Sequence, residues 1–214
     1  MSDTILIPGG RDVRATLDTA ASDGGGDATG NGARADALVV ACPPHPQQRG
    51  HRGDERLTAA SDALTDRGID CLRFDYGDWD EGYGETTDAD EAVSWAAERY
   101  ERVGLFGFSF GGTVALVAAA SRPELAGVCA LAPTARLNPD VDAVAALGEV
   151  VDRGVPVRLV YATRDSTADW EPVIERAEAL GVETVAFESD HFFVGRAARV
   201  GEAVAEFLAP RLRE

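Results

Sequence analysis

Gly107-Phe108-Ser109-Phe110-Gly111 decides how the chain is read. Upstream, Arg102-Val103-Gly104-Leu105-Phe106 is short and apolar and predicts a buried strand. Downstream, residues 112–120 (Gly-Thr-Val-Ala-Leu-Val-Ala-Ala-Ala) predict a buried helix that stops near Ser121-Arg122-Pro123. A G-x-S-x-G pattern between a strand and a helix makes a sharp turn that lifts the serine above the sheet. Such a turn strains the serine backbone. It needs glycine on both sides, because a Cβ at 107 or 111 would collide with the neighbouring strand or helix. The helix start offers unpaired N–H groups to an oxyanion. An inert Gly-rich turn has the same five letters; the strand-to-helix context separates the two.

Outward from that turn, residues 4–18 read as two short strands around Pro8-Gly9-Gly10, a hairpin signal. Residues 19–34, with Gly24-Gly25-Gly26, read as a flexible surface connection. A phosphate loop is disfavoured there, since no lysine and no strand–loop–helix context accompany the glycines. From residue 35 strands and helices alternate. Strands are expected at 37–42, 69–75, 127–132, 155–162 and 182–187. Helices are expected at 54–67, 88–101, 140–153, 170–180 and 196–212, with Asp88 and Glu91 at capping-box spacing. Strands apolar on both faces and joined by helices mean a mostly parallel sheet covered on both sides. The hairpin should sit at its edge, and ligands should bind at the carboxyl ends of the strands. The fold class is therefore α/β, one domain over residues 1–214.

The chain carries 37 acidic residues against 20 basic ones, a net charge of −17. Every basic residue is arginine. Such a surface repels nucleic acid and anionic membranes. The acids are spread along the chain rather than clustered, which fits a salt-rich cytoplasm, as in a halophile, better than a basic partner. Cys42, Cys71 and Cys129 lie in apolar runs and read as buried thiols, with neither metal-ligand nor disulfide spacing. Asp78, Asp80, Glu81 and Glu85 do not match a calcium-loop spacing and read as a solvated loop. No cofactor and no metal are implied. No basic, apolar leader opens the sequence and no run is long enough to cross a membrane, so a cytoplasmic location is expected.

A serine hydroxyl needs a base to become a nucleophile. Of the three histidines (His45, His51, His191), His191 follows the 182–187 strand and precedes the last helix, the position of the base in this architecture. Asp165 ends the strand before it and gives the order Ser…Asp…His; Asp190 and Asp75 are its competitors as the group that orients the imidazole. One oxyanion donor is expected from the N–H of Phe110. The second should come from the loop Pro43-Pro44-His45-Pro46-Gln47-Gln48-Arg49-Gly50, where prolines have no N–H to give. Gln47 is the expected donor, with Gln48 as its alternative, and His45 is expected to shape the loop.

Four stretches now resemble the α/β-hydrolase superfamily, and within it the small dienelactone-hydrolase-like proteins. They are Pro44-His45-Pro46; Leu72-Arg73-Phe74-Asp75-Tyr76-Gly77 leading to Gly82-Tyr83-Gly84-Glu85; Gly107 to Gly112; and Asp190-His191-Phe192-Phe193 followed by Gly195-Arg196. The resemblance spans nearly the whole chain from Ala37 on and implies a Ser109–Asp165–His191 triad. Two departures stand out. Gln47-Gln48-Arg49-Gly50-His51-Arg52-Gly53 replaces the family's usual Gly pair, and Asp75-Tyr76-Gly77-Asp78 loses a positive charge near the site. Dienelactone hydrolases usually carry a cysteine nucleophile, so serine here does not imply a dienelactone substrate. Many superfamily members insert a cap between the sixth and seventh core strands; residues 133–154 allow one helix and short loops. The expectation is an open site that cleaves a small ester or thioester of a carboxylic acid, in a monomer or homodimer. A non-catalytic binding module and an acyltransferase are the alternatives.

Self-repulsion at −17 is screened over about 10 Å at 0.1 M salt and about 3 Å at 1 M. The thermal midpoint should therefore rise as salt is raised from millimolar to molar. A midpoint that is flat or falling across that range would refute the link between charge and salt.

Overall fold

Strand β3 (Ala37–Cys42) is buried at all six positions, as expected of a central strand in a sheet covered on both faces. The computed structural model describes residues 2–21 and 35–213. Of the expected flexible connection at 19–34, residues 22–34 with the three glycines lie outside the described residues, while the Ala20 N–H donates to Asp70 at 2.9 Å. The other strands are β1 (Ser2–Ile7), β2 (Val13–Asp18), β4 (Asp70–Asp75), β5 (Arg102–Phe108), β6 (Gly127–Leu131), β7 (Val157–Ala162) and β8 (Glu183–Phe187). The helices are α1 (Glu55–Thr65), α2 (Tyr83–Ala97), α3 (Phe110–Ala119), α4 (Ala143–Asp152), α5 (Glu171–Leu180) and α6 (Ala197–Arg211).

The eight strands form one sheet in the order β1-β2-β4-β3-β5-β6-β7-β8. β1 pairs antiparallel with β2, and β2 with β4; every later pairing is parallel. Alternate residues of each strand feed two cores. Leu38, Val40, Val103 and Leu105 pack with α2, α3, α4 and α5; Val39, Ala41, Phe106 and Phe108 pack with α1 and α6. From β3 the chain steps to β4 on one side and then to β5 on the other. The strand order thus reverses between β3 and β5, where open α/β sheets leave a crevice at their carboxyl ends. Between β6 and β7 stand only α4 and short loops, and among the described residues no cap covers the rim.

The largest departure from the expected helix bounds is in α2, while α4 starts three residues later than expected. α2 begins at Tyr83 rather than at 88 and ends at Ala97. Gly82 adopts φ +100, and the Glu85 carboxylate accepts from the N–H groups of Gly82 (2.8 Å) and Asp80 (3.0 Å), which starts the helix one turn earlier. Asp88 is consequently not a cap. It is buried mid-helix, accepting from Arg11 Nε at 2.7 Å and from Gly77 N–H at 2.9 Å. Burial raises its pKa against the opposing pull of Gly77 and Arg11. This pair fastens the β1–β2 turn to α2. Beyond Ala97 the chain folds back so that the Tyr100 hydroxyl donates to Asp70 at 2.8 Å. All three cysteines are buried free thiols, held far above the usual thiol range by desolvation. Among the described residues no helix is long and apolar enough to cross a membrane.

α1 and α6 meet backbone to backbone: a Cβ on Gly201 would lie 2.3 Å from the Ala59 carbonyl oxygen. Gly201→Ala should push the helices apart and cost about 1–3 kcal/mol of unfolding free energy. Urea denaturation measures it; an unchanged midpoint would show that the contact yields freely.

Candidate active site

β5 hands directly into α3 at Ser109, whose backbone sits at φ 56, ψ −119, a conformation that costs of order 1–3 kcal/mol. The surroundings leave it no alternative. Its N–H donates to the Leu131 carbonyl at 2.8 Å, and its carbonyl accepts from Gly112 and Thr113. A Cβ on Gly107 would lie 2.0 Å from the Gly111 oxygen; one on Gly111 would lie 2.3 Å from the oxygens of both Cys42 and Pro43. The two glycines therefore let α3 start against the end of β3. α3 is buried everywhere except Val117, so the turn cannot relax outward. Its first N–H, that of Phe110, has no hydrogen-bond partner among the described residues.

His191 and Asp165 come from the loops after β8 and β7. His191 Nε2 lies 2.9 Å from Ser109 Oγ and Nδ1 lies 2.6 Å from Asp165 Oδ2. The His191 and Asp165 side chains are 5% and 1% exposed, so solvent screens the pair little. The other Asp165 oxygen accepts from the N–H groups of Thr167 (2.8 Å) and Ala168 (3.0 Å), and its carbonyl accepts from the Trp170 indole. That carboxylate is fixed before it meets the imidazole. The competing acids are elsewhere engaged. Asp190 is exposed and caps the Phe192 N–H; Asp75 pairs with Arg52. His51 is exposed and accepts from Gly53.

The His191 loop is held from below. Phe193 is fully buried at φ 52 and packs edge-on against Phe187 and Phe108, whose ring also lies against His191 at 5.4 Å. Arg56 completes this stack. Its guanidinium sits 4.5 Å over Phe108 and donates to the Phe192 carbonyl (3.1 Å) and to Asp54 (2.5 Å). Sequence reasoning missed Arg56, because an arginine in the first turn of a helix reads as solvated surface.

Around Ser109 and His191 a cavity of about 250 Å³ is walled by Pro44, His45, Gln48, Arg49, Arg56 and Phe192. A larger hollow of about 560 Å³ lies away from this site, beneath Arg11, Asp12 and Asp78. Gln47, the expected second oxyanion donor, does not line the cavity. Pro46 opens a short 3-10 turn, Pro46–Gln48, capped by His45, and the turn directs the loop's amides back on themselves. Gln47 N–H donates to His45 Nδ1 at 3.3 Å; Gln48 and Gly50 donate to the His45 carbonyl at 2.9 and 3.0 Å. Among the described residues no partner stands against the N–H of Arg49 or against that of His45, which lies between two prolines. Burial lowers the pKa of the His45 imidazole, against an opposing pull from Glu85. The buried Tyr76 hydroxyl donates to the Pro43 carbonyl at the start of the loop.

Comparison with known proteins agrees with this architecture. The family model described as X-Pro dipeptidyl-peptidase (S15 family) matches residues 74–166, a stretch that includes Ser109 and Asp165 and ends before His191. An uncharacterised protein of Rickettsia prowazekii (strain Madrid E) is 23% identical over 189 residues, 80% of this chain and 78% of its own length. Among solved structures, an α/β serine hydrolase without lid from Xanthomonas campestris superposes with a TM-score of 0.78 at 22% identity, over 100% of this chain and 96% of the other. A dienelactone hydrolase from Anabaena variabilis gives 0.74 at 21% identity, over 100% and 99%. The chain has the α/β-hydrolase fold, in its form without a lid.

Phe193→Ala removes the buried anchor of the histidine loop and should cost about 3–5 kcal/mol in denaturant unfolding. A cost near zero would mean that another contact holds His191.

Proposed function

We propose that the protein hydrolyses small esters or thioesters of carboxylic acids through an acyl-enzyme on Ser109. The observation that carries this reading is the unbroken contact from Asp165 through His191 to Ser109, 2.6 and 2.9 Å, at the crevice where the strand order reverses. Asp165 holds the His191 tautomer with its proton on Nδ1, which leaves Nε2 free to accept from Ser109 Oγ. As Oγ attacks the substrate carbonyl, its proton passes to Nε2, and Asp165 stabilises the imidazolium that forms. The carbonyl oxygen becomes an anion facing the N–H of Phe110. The N–H of His45 is the second donor in this reading, in place of Gln47. His191 then gives its proton to the departing alcohol or thiol. A water, deprotonated by the same nitrogen, releases the acid and restores Ser109.

The open rim favours a small substrate. Among the described residues no insertion roofs the cavity, and Phe192 stands 52% exposed at its mouth. The similarity to a serine hydrolase without lid supports the reading of the fold, and the acidic surface suits a salt-rich intracellular medium.

A fluorophosphonate in molar salt should modify Ser109, located by mass spectrometry, and short-chain nitrophenyl esters should turn over. Ser109→Ala should abolish both, and Asp165→Asn should lower kcat by about 10⁴-fold while the fold persists. A folded protein that forms no adduct and hydrolyses no ester would end the hydrolase reading in favour of a binding role.

A further inference from the structure

The loop that follows β3 is built around one side chain. His45 receives three hydrogen bonds from its own loop, two on the carbonyl from Gln48 and Gly50 and one on Nδ1 from Gln47. Its ring is stacked on Trp79, with centroids 4.7 Å apart and planes 25° from parallel, and lies 4.9 Å from the ring of Phe110, the residue after Ser109. Gly50 presses so closely on the loop's start that a Cβ there would lie 2.1 Å from the Pro44 oxygen. The imidazole therefore links the far turn of the loop to the wall of the elbow. A backbone N–H can donate to Nδ1 only while that nitrogen carries a lone pair, so the bond requires a neutral ring with its proton on Nε2.

We propose that the neutral imidazole of His45 is a positioning residue for the reaction: it holds the loop, and with it the His45 N–H, against the Ser109 turn, and a proton on Nδ1 releases Gln47 and slackens the oxyanion site. This rests on the acyl-enzyme reading above. The charged and titratable groups around the ring are few. Glu85 of α2 favours the proton; across the cavity stand Arg49 of the same loop, Asp54 and Arg56 from the start of α1, and His191. Burial disfavours the charged ring and outweighs Glu85, so the neutral form extends below the ordinary histidine range. The sign follows: the loop is held above the His45 titration and loosens as pH falls through it. His191 must also be neutral to accept from Ser109. The free enzyme thus needs two unprotonated imidazoles.

The test is the pH dependence of kcat/KM on a nitrophenyl acetate for wild type, His45→Asn and His45→Ala. Asparagine caps a turn through its side-chain oxygen and does not titrate. In wild type kcat/KM should show an additional fall of about 10- to 100-fold as pH drops through the His45 titration. In His45→Asn that additional fall should be absent. His45→Ala, which can neither accept from Gln47 nor stack, should lower kcat about 10- to 100-fold at every pH and leave KM nearly unchanged. Identical acid limbs in wild type and His45→Asn, or wild-type kcat in His45→Ala, would overturn the proposal. A readout independent of turnover is the Gln47 amide resonance of ¹⁵N-labelled protein, which should shift with the His45 titration in wild type and stay flat in His45→Asn. An amide shift that ignores His45 overturns the linkage. A coupled shift in a protein that hydrolyses no ester supports the linkage and counts against the hydrolase reading instead.

Discussion

The first turn of α3 rests on the last carbonyls of β3, and the rest of the site follows from that contact. Gly111 is the only residue type that fits against Cys42 and Pro43, and its approach sets where the helix starts. That start sets the strained backbone of Ser109. The strain is held by the Leu131 carbonyl on one side and by a helix buried almost all round on the other. One close approach therefore fixes a hydroxyl, an unpaired amide and the near end of the 43–50 loop at once. Rigid elements carry the reacting groups, while loops on the rim supply their partners.

A second layer lies under His191. Phe187, Phe193 and Phe108 form a chain of rings from the end of β8 to the residue before the serine, and Arg56 closes it from above. The apolar stack and the hydrogen bond to the Phe192 carbonyl act on the same short loop. His191 thus stands on a packed floor, although its loop carries two exposed apolar residues, Phe192 and Val194. Asp165 is fixed independently by amides of its own turn. His191 and Asp165 are each positioned before they touch, which reduces the reorganisation their contact requires.

Much of this was legible in the sequence, because it rests on local rules. Runs such as 37–42 and 102–108 are apolar at nearly every position, and only a strand buried on both faces needs that. Glycines 107 and 111 flank a serine between a strand and a helix, and the close approaches occur at those two positions. What could not be read depended on partners distant in the chain. The start of α2 turned on Glu85 reaching back to two amides, and Asp88, which has cap spacing, is instead taken by Arg11 from the hairpin. Gln47 was expected as a donor because it follows the last proline of its loop. Once Pro46 opens a turn capped by His45, that amide points at the imidazole, while the amide between the prolines keeps no partner among the described residues. Arg56 gave no signal, since its role exists only where α1 passes over Phe108.

The bare span between β6 and β7 has a consequence for how the crevice is dried. Proteins with an inserted roof expel solvent by their own movement. Here any drying of the crevice would fall to the molecule that enters it, and the exposed ring of Phe192 offers an apolar surface at its mouth. For a hydrolase built this way, selectivity would rest on how completely each molecule plugs the opening it enters: the guest serves as its own stopper.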